Sequence, residues 1–206
     1  MSQNGEAISA AKLRATHARL RVDRLRVALR GGTVDAERVA RELPEWLQLF
    51  RDIRDGAFRV LVLELLSGFR GDEVDDLLWE ASEDRADGVR LEALRILCDR
   101  FPGDIPRLAD RHAADENLEV RVLLATRMHG RDRSRAESMF LEILRSEARG
   151  PKERQALERV LGFFVEDVQA QHLLPTLQEM REAFDDPENF FGWAAEKLSA
   201  RSQEED

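Results

Sequence analysis

The chain has 206 residues, with 32 Lys/Arg against 41 Asp/Glu, a net charge of −9 and a single cysteine. That length suits one domain or one short array with a sizeable core. No run of about eighteen apolar residues is present and charge interrupts the first twenty residues, so neither a membrane span nor a signal peptide is expected and the location is expected to be cytoplasmic.

The charge is unevenly spread. Residues 1–30 hold seven Lys/Arg against Glu6 and Asp23, a net of +5, while the other 176 residues hold 25 Lys/Arg against 39 Asp/Glu, a net of −14. A basic arm on an acidic body disfavours nucleic-acid binding by the surface as a whole. Apolar residues recur at spacings of three and four, with hardly any period-two alternation, which predicts an all-α fold.

The first predicted helix, 6–30, carries Ile8, Ala11, Ala15, Ala18, Val22, Leu25 and Leu29 along one seam. Leu13, Leu20 and Val27 fall on the opposite face, with Lys12, Arg19, Arg26 and Arg30 on one flank and Arg14 and Arg21 on the other. A helix with two apolar stripes has two neighbours. It is read either as an N-terminal cap or as a docking element, which places Leu13, Leu20, Val27, Arg19 and Arg26 as candidates for contact with another protein or a second copy of the chain. Nucleic acid or an anionic membrane surface is a weaker option, because the helix lacks aromatic anchors.

Further helices are expected near 34–53, with Thr33 as N-cap and a break or start at Pro44, and near 57–69, 73–83, 88–100, 104–113, 117–129, 133–148 and 152–164. The last two are placed at 167–184, interrupted at Pro175, and 187–200, where Asp186 is the N-cap and Pro187 the first helical residue. Helices joined in pairs by very short connections suggest stacked hairpins. Phe58-Arg59, Val89-Arg90 and Val120-Arg121 open three second helices at intervals of thirty-one residues, and Arg154 opens a weaker fourth unit after thirty-three. Core stripes then follow at Phe58, Val62 and Leu65, at Val89, Ala93 and Ile96/Leu97, and at Val120, Leu124 and Met128.

In two units an acid precedes the arginine by six residues, Asp84 before Arg90 and Asp115 before Arg121, with Val immediately before each Arg. This Asp-x₄-Val-Arg pattern at the start of a second helix resembles the HEAT repeat in its short bacterial form, over roughly residues 33–184. The pattern is incomplete elsewhere: Ile53 and Ala148 stand where two units would carry the acid. The resemblance implies an α-α superhelix, a solenoid of about four to five hairpins, in which Asp84, Arg90, Asp115 and Arg121 belong to a structural ladder of ion pairs between repeats. The expected organisation is a basic amphipathic helix over 1–32, HEAT-like repeats over 33–184, and a capping helix with an acidic tail over 185–206.

Chemistry-bearing motifs are few. No His-Glu-x-x-His motif and no pair of cysteines is present among His17, His112, His129, His172 and Cys98, and Gly-Asp-Glu-Val-Asp-Asp at 71–76 lacks the order of a calcium loop, so no metal or cofactor is expected. No Gly-rich phosphate loop or nucleophile elbow is present, and catalysis is not expected. The single Cys98, within Arg-Ile-Leu-Cys-Asp-Arg, is expected to fill core. Trp46, Trp79 and Trp193 are compatible with a HEAT-like DNA glycosylase that modifies nucleic acid, but the acidic body opposes a DNA cradle and they are read as packing residues. Phe163, Phe164, Phe184, Phe190, Phe191 and Trp193 are read as packing of the terminal cap. Residues 71–87 hold eight acids against Arg85, a net of −7, so Asp72, Glu73, Asp75 and Asp76 are the remaining docking candidates. The resulting expectation is a non-enzymatic adaptor or scaffold for another protein. A nucleic-acid-binding protein is the alternative.

Overall fold

The computed structural model describes residues 41–145, 158–163, 165, 171–183 and 190–204, together with positions 20, 22, 24 and 37. Among them every regular element is helical and none is a strand. The chain divides into two compact units, Met1–Asp104 and Ile105–Asp206. No helix among the described residues is long and apolar enough to cross a membrane.

The first unit contains α1 (Leu43–Asp52), α2 (Gly56–Leu66), α3 (Asp72–Ala81) and α4 (Asp87–Arg100), and ends in a 3₁₀ turn, Pro102–Asp104. α1 packs on α2, α3 on α4, and the second helices α2 and α4 lie side by side. Their N-terminal turns are neighbours: a Cβ on Gly56 would lie 3.0 Å from that of Ala86, and one on Gly88 3.7 Å from Cγ2 of Val60. Glycine at 56 lets the two backbones approach. The core stripes anticipated from the repeat are fully covered, with Phe58, Val62 and Leu65 on α2 and Val89, Ala93, Ile96 and Leu97 on α4. Each of these side chains other than Ala93 contributes about 1.5–3 kcal/mol of burial relative to exposure. Cys98 lies among them, buried.

The second unit contains α5 (Ile105–Arg111), α6 (Leu118–His129), α7 (Arg133–Arg145), a 3₁₀ turn Gln171–Leu173, α8 (Leu174–Ala183) and α9 (Phe190–Glu204). α6 packs on both α5 and α7, and α8 on α9. Val120, Leu124 and Met128 are buried in this core. Residues 158–162, within the helix expected near 152–164, are helical as well.

Pro44 stands at a helix start, one of its two expected places, and Pro175 marks a start where an interruption is expected. Pro44, Pro106 and Pro175 each occupy the second residue of a helix, α1, α5 and α8. In the first turn an amide N–H has no intrahelical acceptor, so its loss there costs nothing and the fixed φ favours the start. Two helices also end before their apolar pattern does. After α2 and α3, Ser67 and Ser82 turn back, their hydroxyls donating to the carbonyls of Glu64 at 2.7 Å and Trp79 at 2.8 Å. α3 in turn begins at Gly71, whose φ of 145° only glycine adopts without strain. Thr33, Asp186, Pro187 and Arg154 lie outside the described residues.

Candidate docking face

The repeat register is visible first in how the second helices begin. The N-caps of α2, α4 and α6 are Asp55, Ala86 and Asn117, thirty-one residues apart. Asp55 accepts from the Phe58 amide at 2.8 Å and Asn117 from the Glu119 amide at 2.8 Å, each satisfying a first-turn donor. Two residues before the cap, the acids of the sequence pattern close the preceding turn. Asp84 Oδ1 accepts from the Ala86 amide at 2.9 Å, and Asp115 Oδ1 from the Asn117 amide at 2.8 Å. Where Ile53 stands instead, the chain has no such acceptor and runs extended at φ −92°, ψ 128°.

Asp84 has a second use. Its Oδ2 is paired with the guanidinium of Arg59, from the preceding second helix, and the two side chains are 8% and 18% exposed. Arg59 also lies 4.3 Å over the ring of Phe50. Arg90, six residues after Asp84, reaches the carbonyl of Asp84 at 2.9 Å and the carboxylate of Asp87 at 3.0 Å. One carboxylate oxygen of Asp84 therefore serves the previous unit, while the other, with the backbone carbonyl, serves its own. Arg121 is half-buried, and its Nε has no hydrogen-bond partner.

The acidic stretch 71–87 is partly consumed inside the first unit. Asp75, expected to offer charge outward, is drawn in by Arg100, whose Nη1 lies 2.5 Å from its Oδ1. The Arg100 side chain is only 2% exposed, and its Nη2 is 3.0 Å from the carbonyls of Leu66 and Ser67 and 2.5 Å from that of Phe69. It thus satisfies the orphan carbonyls at the end of α2 while neutralising an acid of α3. Sequence reasoning passed over Arg100. Its partners are carbonyls more than thirty residues away, and a carbonyl leaves no mark in a sequence. Position 75 did carry a signal: it precedes Leu78 and Ser82 by three and seven residues, on a stripe that is buried. Glu80 pairs with Arg51 at 3.3 Å. Asp72, Glu73 and Asp76 are exposed, and the first two complement the N-terminal end of the α3 dipole.

The solvent side of the second helices shows an order of its own. On α2 and just beyond it, Ala57 and Gly68 are exposed and Val60, Leu61 and Glu64 half-buried, while on α4 Gly88, Arg95 and Asp99 are exposed and Leu91 and Glu92 half-buried. These positions match at thirty-one residues: Ala57 with Gly88, Val60 with Leu91, Leu61 with Glu92, Glu64 with Arg95, Gly68 with Asp99. Two adjacent helices therefore present one strip that is small at its start, aliphatic at its middle and charged at its end. Arg95 holds Glu92 through two bonds, of 2.9 and 2.5 Å, and lies 3.6 Å from Asp99. The hydrogen bond to Glu92, against a smaller desolvation and with the charges of Asp99 and Glu64 added, raises its already high pKa further.

The arm is described at positions 20, 22 and 24. Leu20, Val22 and Arg24 are helical; Val22, from the seam, is buried, while Leu20 and Arg24, one turn apart, are exposed, Leu20 to 49%. Leu13, Val27, Arg19 and Arg26 lie outside the described residues. Of the aromatic residues, Trp46 and Phe191 are buried, Trp79 stacks on Phe101 at 6.3 Å, and Trp193 is 37% exposed. Phe163 packs against His129 and Phe140, each at 5.0 Å. Phe164 and Phe184 lie outside the described residues, as does the side chain of Phe190.

In the second unit, Glu137 on α7 accepts from Arg133 at 3.0 Å and lies 3.0 Å from Nε2 of His172, ahead of α8. Partial burial pushes its carboxyl up, but the hydrogen bonds and charges of Arg133 and His172 outweigh this and hold it below the ordinary value near 4.5. This arrangement ties one helix to the next hairpin. Among the described residues, no three His, Cys, Asp or Glu side chains come together as metal ligands. The chain matches no protein family, no curated protein and no solved structure.

Proposed function

We propose that the chain is a short HEAT-type α-solenoid that works without catalysis as a scaffold, presenting the solvent strip of its second helices to another protein. The observation that carries this reading is the strip on α2 and α4. Side chains at matching register positions, Val60 with Leu91 and Leu61 with Glu92, stay partly open to solvent although the opposite sides of the same helices are fully buried. A stack of hairpins offers an extended surface of this kind to a partner, and its aliphatic middle supplies apolar contact while the charged end sets orientation. The turn-closing acids, the Arg59–Asp84 pair and the Arg100 clamp support the same reading, because they commit the charged groups of the repeat to holding hairpins together.

A photo-reactive amino acid at Leu61 or Leu91, with Glu73 on α3 as the control position, tests the assignment in cells. Expected are adducts with one protein from Leu61 and Leu91, lost when Glu64 and Asp99 are both changed to Lys, and none from Glu73. Adducts from Glu73 alone would move the docking face to the acidic side of α3. Tight, salt-sensitive retardation of duplex DNA by the intact protein would instead favour nucleic-acid binding.

A further inference from the structure

We draw no further inference here: the strongest candidate, the exposed surface patch of Asp72, Glu73 and Asp76 on α3, is a cluster of acids at a helix N-terminus, the first two of which already complement the helix dipole, and nothing in the structure shows what covers it.

Discussion

Two sets of arginine–carboxylate contacts in the first unit use the same residue types to opposite effect. Arg100 is 2% exposed and gathers Asp75 with three backbone carbonyls, whereas Arg95, on the same helix, is 44% exposed and pairs with acids of its own helix, Glu92 and Asp99. In water an ion pair is worth about 0–1 kcal/mol, because solvation competes with it and holding two long side chains costs entropy. Inside, the balance changes: the groups left behind when one partner goes have no water to turn to. What separates the two arginines is the company of orphan carbonyls at the end of α2, which makes Arg100 a cap for one helix and a counter-charge for another.

The largest effect should therefore come from Arg100→Ala. It strands Asp75 and the carbonyls of Leu66, Ser67 and Phe69, and about 3–5 kcal/mol of stability should be lost in denaturant unfolding. Arg100→Lys keeps the charge but not the planar fork, so it should recover only part of the loss. If Ala at 100 were as stable as wild type, the distinction between the two arginines would collapse.

Asp84 comes next, because it has two roles that can be separated. Asp84→Ala removes both the turn-closing bond to the Ala86 amide and the charge facing Arg59, and should cost about 1–3 kcal/mol. Asp84→Asn keeps a side-chain oxygen for the amide and loses only the charge, so its cost should be the smaller. Equal costs would mean that the turn contributes nothing and the pair everything.

Asp84 also shows what a sequence makes legible. Its bond to Ala86 spans two residues, and the pattern that flagged it recurs thirty-one residues later at Asp115 with the same local geometry. Helix α4, expected over 88–100, spans Asp87–Arg100, and the stripes assigned to core are buried, because three- and four-residue spacing reports a helix face directly. Contacts that join distant carbonyls to a side chain leave no such trace, which hid Arg100. The strip is an intermediate case. Its positions follow from the thirty-one-residue register, but only packing decides that Val60, Leu61 and Leu91 are half open, since a valine or leucine at a helix surface reads the same as one in the core.

Glu137 extends the comparison to a carboxylate of intermediate burial. Its folded-state pKa lies below the ordinary value, so ionisation favours the folded chain; the contribution is complete above about pH 4.5 and is lost as pH falls through the depressed value. Glu137→Gln should lower stability by less than about 1 kcal/mol near neutral pH, and the gap from wild type should close on acidification. Melting curves at a series of pH values between roughly 7 and 3 give the answer. A gap that persists at the acid end would assign the loss to packing of the side chain instead of its charge.

The smallest effect should belong to Arg95→Ala. The guanidinium is nearly half exposed, its partners lie three and four residues away on α4, and alanine is the better helix former, so the lost pair and the gained propensity should nearly cancel, within about 0.5–1 kcal/mol. The change also tests whether the strip is energetically separate from the interior. Glu92 and Asp99 serve Arg95, whereas Asp75 and the end of α2 serve Arg100. Costs of the two alanine substitutions should then add in the double variant to within about 0.5 kcal/mol. A coupling larger than that would mean that the solvent face and the buried clamp of α4 act as one network, so that a change on the strip alters the packing of α2 and α3 against α4 beneath it.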